Sequence, residues 1–186
     1  LFNPTKRENS WSVFSLDVFL SDKAFIGLVL SAIEVYRDEC LGSLLGYNIS
    51  NRIVVEYVIP HQTAKRKPTE VEPNWKRESR VQEILPSLLQ LRHVGYFHSH
   101  TQWGEQKASA KLSDTDIEGM VPTQIEIVIA VNDSKRKTEW NKSEKQLCGS
   151  IGKYNLRLAC HYKRKNGTIT HYPILCPYVM GFDLTF

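Results

Sequence analysis

The segment from Ile125 to Val131 is a near-continuous apolar run, and it limits the possible folds more than any other part of the chain. A strand that is apolar at successive positions has to be covered on both faces, which places it in the middle of a sheet. The remaining sequence must then supply strand neighbours for both edges and cover for both surfaces.

Further strands can be read from composition and turn chemistry. Trp11 to Phe19 predicts an opening strand, and Leu41 to Tyr47 with Arg52 to Ile59 predict a hairpin joined through Asn48, Ser50 and Asn51. A short strand is expected from His93 to His98, continuing toward His100. Near the end of the chain, Leu156 to Lys163 and Thr168 to Leu175 flank Asn166-Gly167, a pair that tolerates positive φ and signals a hairpin turn.

Helical spacing occurs twice at length. Phe25, Leu28, Val29, Ala32, Ile33 and Tyr36 follow a Ser21 or Asp22 cap, which predicts a helix from Asp22 to about Arg37. Val81, Ile84, Leu85, Leu88 and Leu91 repeat the pattern, with Pro86 expected to kink that helix or to start its second part. A shorter helix is expected from Ser113 to about Met120. Pro60 to Trp75 reads as a surface loop, and the polar, lysine-rich stretch from Asp133 to Ser150 as an insertion or mobile loop. Together these elements predict an α+β domain, a mixed curved sheet with helices packed on its faces.

Composition narrows the class. With 41% hydrophobic and 24% charged residues over 186 positions, one globular domain spanning 1–186 is expected, with variable loops at about 60–80, 101–112 and 133–150. The apolar stretch Ala24 to Ile33 is too short to cross a bilayer. Cys40, Cys148, Cys160 and Cys176 are irregularly spaced with no Cys-x-x-Cys, so a reduced, cytoplasmic protein is expected. The net charge of +4 gathers in Lys65-Arg66-Lys67, Lys135-Arg136-Lys137 and Lys163-Arg164-Lys165. These runs suit solvated tips or an acidic protein partner; no zinc-finger or RNP fingerprint accompanies them, so nucleic acid is not the expected partner, and neither is a membrane.

Chemistry concentrates in Gly95-Tyr-Phe-His98-Ser-His100 and Leu112-Ser113-Asp-Thr-Asp116. On a strand, His98 and His100 project from the same face. At a helix start, Ser113 and Asp116 both look out of the first turn. Two imidazoles and a carboxylate are a ligand set that zinc accepts in hydrolytic sites, where a fourth position stays open to water. Taken singly, each piece has a plainer use: a polar strand end for His-x-His, a capping box for Ser113 and Asp116, and a helix-end carboxylate for Glu39.

The conjunction Glu39-Cys-Leu-Gly-Ser-Leu-Leu-Gly46, His98-Ser-His100 and Ser113-x-x-Asp116 resembles the motif of the JAMM metalloproteases, the catalytic members of the MPN-domain family. In element order the resemblance covers roughly residues 13 to 131. It implies an MPN domain related in fold to cytidine deaminases, one catalytic Zn²⁺ held by His98, His100 and Asp116, and cleavage of the amide joining a ubiquitin-like modifier to a lysine or peptide. It further implies that Glu39 shuttles the proton between water and leaving amine, and that Ser113 donates a hydrogen bond to the oxyanion. The implied partners are conjugates of ubiquitin or a ubiquitin-like modifier, with a protein complex partner also open.

The chain departs from the family pattern after His100. Thr101 stands where the family usually has Pro, and twelve residues, Thr101 to Leu112, separate His100 from Ser113, more than is usual. Extra loop length costs little closure entropy because the dependence is logarithmic, so the metal site tolerates it while the wall bearing Trp103, Glu105 and Lys107 should differ. The alternative is an MPN scaffold module with little activity of its own. A nucleobase deaminase is disfavoured, because it needs His-x-Glu and Pro-Cys-x-x-Cys and neither occurs.

Overall fold

A computed structural model describes residues 17–88 and 90–180; the Trp11 to Leu16 part of the expected opening strand lies outside them. The chain starts with β1 (Asp17–Leu20), α1 (Asp22–Glu34), β2 (Leu41–Ile49) and β3 (Arg52–Pro60). It continues through β4 (Lys65–Lys67), β5 (Glu70–Glu72), α2 (Trp75–Leu88), β6 (Arg92–Thr101), α3 (Asp114–Gly119) and β7 (Ile125–Asp133). It ends with β8 (Asn141–Ser143), β9 (Gln146–Ile151), β10 (Tyr154–Lys163), β11 (Ile169–Tyr172), β12 (Ile174–Leu175) and α4 (Pro177–Met180).

Ten strands form one mixed sheet in the order β12-β1-β3-β2-β6-β7-β10-β9-β8, with β11 also on β10. As its apolar run requires, β7 lies inside the sheet, parallel to β6 on one side and antiparallel to β10 on the other. After pairing with β10, β11 passes directly into β12, which pairs with β1 at the far end of the order, so the sheet curls into a nearly closed barrel.

This corrects the expected architecture. The described residues are 46% strand and 22% helix, a barrel-like sheet rather than the helix-flanked α+β arrangement of an MPN domain. The physical reason is how little the helices bury. Among the described residues, only α1 has a proper apolar face, placing Ala24, Phe25, Leu28, Val29 and Ala32 in the core. Among the described residues of α2, Glu78 and Leu85 are buried, and α3 and α4 bury none. A helix without a buried apolar stripe cannot form a layer against a sheet.

Two of the three expected loops contain strands. Pro60 to Trp75 folds as the β4–β5 hairpin. In Asp133 to Ser150, β8 and β9 extend the main sheet, Leu147 is fully buried, and Trp140 packs edge-on to Phe25 with ring centroids 5.0 Å apart. The Asn166-Gly167 turn forms as expected, with Gly167 at φ 84. Pro86 lies inside helix α2, which begins at Trp75, ahead of the Val81 to Leu91 spacing. Among the described residues, no helix is long and apolar enough to cross a membrane.

The sheet has two unlike faces, which can be followed along β7. Ile125, Ile127, Ile129 and Val131 point into the core with Phe97, Leu156 and Leu158. The alternate positions, Val128 and Ala130, join Ala159 and Ala110 in a smaller cluster on the opposite face. That second face carries the candidate site.

Candidate metal centre

Strand β6 sets the floor of a cleft of about 840 Å³, and its same-face residues Tyr96, His98 and His100 all line it. Helix α3 closes one side. Ser113 caps that helix, its Oγ accepting from Asp116 N (3.2 Å) while Asp116 Oδ2 accepts from Ser113 N (2.7 Å), a reciprocal capping box. The capping use of Ser113-x-x-Asp116 is thus compatible with a metal-ligating one, because the box leaves the carboxylate beside the histidines. Asp116 Oδ1 lies 3.5 Å from His98 Nε2, and Oδ2 lies 3.5 Å from His100 Nε2. One ligand atom from each of His98, His100 and Asp116 falls within 4.8 Å of the others, so the group can hold a metal ion.

The ring tautomers make this convergence more specific. His100 Nδ1 is 2.8 Å from the Ser109 carbonyl, which can only accept, so Nδ1 carries the proton. His98 Nδ1 is 2.7 Å from Glu126 Oε1 and donates to that carboxylate. With both Nδ1 atoms committed as donors, the two Nε2 lone pairs face each other at 3.1 Å beside a carboxylate. Such an arrangement repels itself unless a cation or a proton lies between them.

The electrostatics agree. Burial opposes a charged His98 ring, yet hydrogen bonds to Asp116 and Glu126 outweigh it and raise the ring's pKa to about 10. Asp116, although also partly desolvated, is held far below the ordinary carboxylate range by His100 and His98. Each group favours positive charge at the shared centre.

Glu39 immediately precedes Cys40 and β2, and it lines the same cleft as His98, His100 and Asp116. It is 9% exposed. Burial pushes its carboxyl up to about 7, against the pull of His100 and His98. Its backbone is clamped from both sides: Glu39 N donates to Lys67 O (3.0 Å), and the next residue is tied to β6 through Cys40 N to Ser99 Oγ (2.8 Å) and Ser99 N to Cys40 O (3.0 Å). Ser99 thus does structural work on the core face while its neighbours face the cleft. In Ser99→Ala, the buried Cys40 N–H loses its partner, at an expected cost of about 1–3 kcal/mol. Thermal unfolding of the metal-free protein measures that cost, and an unchanged Tm would rule out the tie. Gly42 is required nearby, since a Cβ there would overlap the Phe97 ring and the Ile59 carbonyl.

All five expected site residues, Glu39, His98, His100, Ser113 and Asp116, therefore line one cleft. Sequence reasoning missed Glu126 and the Ser109 carbonyl. Glu126 had a signal, as a lone carboxylate within an apolar strand, and it is 8% exposed; a backbone carbonyl has none.

Two other polar groupings have different roles. His61 Nε2 lies 3.0 Å from Ser43 Oγ and 3.6 Å from Glu78 Oε1, with Gln82 Nε2 donating to the same hydroxyl (3.3 Å). A serine–histidine relay needs its carboxylate on the opposite ring nitrogen, and His61 Nδ1 has no partner. This cluster fastens α2 over the cleft. Cys148, Cys160 and His161 do not converge: Cys160 packs in the core, while His161 faces the other side and reaches Ala110 O.

No family model matches the sequence, and no curated protein matches it. Among solved structures, the fold is similar to the solution structure of protein DSY2949 from Desulfitobacterium hafniense, a structural-genomics target. The likeness covers 86% of this chain and 92% of that one, with 16% identity and a TM-score of 0.59. At that identity it bears on the fold alone.

Proposed function

We propose that this chain is a zinc-dependent isopeptidase whose site is of the JAMM type, cutting the amide between the C-terminus of a ubiquitin-like modifier and an amine of its target. The observation that carries the reading is the pair of Nε2 lone pairs aimed at one point, with the Asp116 carboxylate alongside and the buried Glu39 next to them. Two imidazoles and a carboxylate suit zinc and leave a coordination position for solvent.

His98, His100 and Asp116 would hold the divalent ion, which when bound would supply acidified water, with a pKa of about 7, and polarisation of the scissile carbonyl. Glu39 takes the proton released by the attacking water and returns it to the departing amine nitrogen, so that the C–N bond breaks to a neutral amine. Ser113 Oγ already accepts the Asp116 N–H, which leaves its own proton free to be donated to the carbonyl oxygen as negative charge develops there. The modifier's tail is an extended chain. Among the described residues, strand β5 has a partner on one edge only, and Glu70 and Val71 line the cleft, so an added strand there would lead the tail toward His98, His100 and Asp116.

A scaffold module without catalysis is favoured less by Glu39. Burying a carboxylate beside the cluster costs stability, and an interaction surface gains nothing from it. The test is a panel of ubiquitin-like conjugates and linear fusions incubated with zinc-loaded protein. Cleavage at the modifier's C-terminus, stopped by a chelator and restored by added zinc, is the expected result. Intact conjugates across the panel, with zinc shown to be bound, would overturn the proposal.

A further inference from the structure

We infer that Asn132 and His161 form a clamp on the long segment after His100, and that its purpose is to fix the His100 ring through the Ser109 carbonyl. The inference rests on the metal-binding part of the proposed function and assigns two positioning residues to it.

The segment from Lys107 to Leu112 has no regular structure, so its buried backbone groups need partners from elsewhere. Asn132, on β7 and 7% exposed, supplies two of them. Its Oδ1 accepts from Ala108 N (2.7 Å) and its Nδ2 donates to Ala108 O (3.2 Å), as a neighbouring strand would. His161, on β10, donates from Nε2 to Ala110 O (3.1 Å). The partner is a carbonyl, so that nitrogen bears the proton; the His171 ring stacks on His161 at 5.0 Å with 14° between the planes.

Between these two anchors lies Ser109 alone, and its carbonyl takes the His100 Nδ1 proton at 2.8 Å. Ala110 sits against Val128, Ala130 and Ala159, where a small side chain lets the segment approach the sheet. The twelve-residue spacer is thus pinned at the two residues that flank the acceptor. An acceptor on Nδ1 fixes the tautomer, aims Nε2 at the metal and raises its basicity, and losing such an outer partner typically costs about 10- to 100-fold in metal affinity. A spacer anchored only at its ends would hold that carbonyl loosely.

The experiment uses the whole chain and three variants. Asn132→Asp keeps the acceptor for Ala108 N–H and drops the donor; His161→Phe keeps the ring stack and drops the donor; His161→Gln restores a donor without a ring. Zinc affinity is read by competition with a chromophoric chelator. The His100 Nδ1–H resonance is read by NMR in metal-free protein, and circular dichroism checks folding. In His161→Phe, affinity should fall by about 10- to 100-fold and the Nδ1–H signal should be lost to exchange. Asn132→Asp should show the same changes to a smaller degree, and His161→Gln should move both readings back toward wild type. Folded variants with wild-type affinity and an unchanged Nδ1–H signal would overturn the clamp, as would a His161→Gln variant no better than His161→Phe. If wild-type protein takes up no zinc, the metal reading fails instead, and the metal-free resonance still decides the clamp.

Discussion

Replacing Glu39 by Gln is expected to lower kcat for isopeptide cleavage by about 100- to 10,000-fold, the usual worth of a positioned acid–base group, while zinc remains bound. The amide matches the carboxylate in size and keeps the backbone ties to Lys67 and Ser99. It cannot take a proton from water, so the amine would have to leave as a poorly stabilised anion. Metal content by mass spectrometry and kcat by conjugate cleavage separate the two effects. Wild-type turnover in the variant would show that Glu39 is not the proton carrier.

The same substitution has a pH signature in stability. Glu39 is raised from 4.5 to about 7 by burial, ahead of the opposing influence of His100 and His98. A group whose folded pKa lies above its unfolded one contributes stability that is complete below the unfolded value and is lost as pH rises through the folded one. Metal-free Glu39→Gln should therefore melt higher than wild type above about pH 7, with the gap closing as pH falls toward the ordinary carboxylate range. With zinc bound, the added positive charge draws the carboxyl down, so the acid limb of kcat/KM should lie below that value.

The second large effect is expected from Asp116→Asn. The substitution removes the negative charge between His98 Nε2 and His100 Nε2, each 3.5 Å away. The amide oxygen can still accept the Ser113 N–H that the carboxylate now takes at 2.7 Å. Helix α3 should keep its cap, whereas Asp116→Ala should also lose about 1 kcal/mol of capping. Zinc affinity in Asp116→Asn should fall by more than the roughly 100-fold upper range seen for outer-shell changes, and the metal-free protein should also melt lower near neutral pH, because the pairing with His100 and His98 that holds the Asp116 carboxyl down is lost. An Asn variant that binds zinc as tightly as wild type would remove Asp116 from the ligand set.

The grouping of the candidate site residues was legible in the sequence because their geometry is local. Two residues apart on a strand means one face, and three apart at a helix start means one turn; His98 with His100 and Ser113 with Asp116 obey those rules whatever surrounds them. The apolar run of β7 and the Asn166-Gly167 turn were readable for the same reason. The strands inside two of the expected loops were not. Strands β4, β5 and β8 have three residues each and none of their residues is buried, so no apolar period marks them, and the buried face of β9 carries only Leu147 and Gly149, too little to set a period.

The balance of sheet and helix was misjudged because helical spacing in α2 does not guarantee an apolar partner. Its Trp75, Val81 and Ile84 remain exposed, and the helix is held by Glu78, Gln82 and Leu85 instead. Likewise, the extra length after His100 looked like a neutral loop insertion. In the fold it crosses the sheet and delivers the Ser109 carbonyl to His100.

By itself the sequence determined which side chains share a strand face or a helix turn, because covalent geometry fixes the direction of neighbouring side chains along a backbone. Only the tertiary structure decided that Glu126 meets His98, that Glu39 lies beside His98, His100 and Asp116, and that β12 returns to β1 to nearly close the sheet. Those meetings depend on strand order, accumulated twist and the path of each connection, and these are settled by packing across the whole chain.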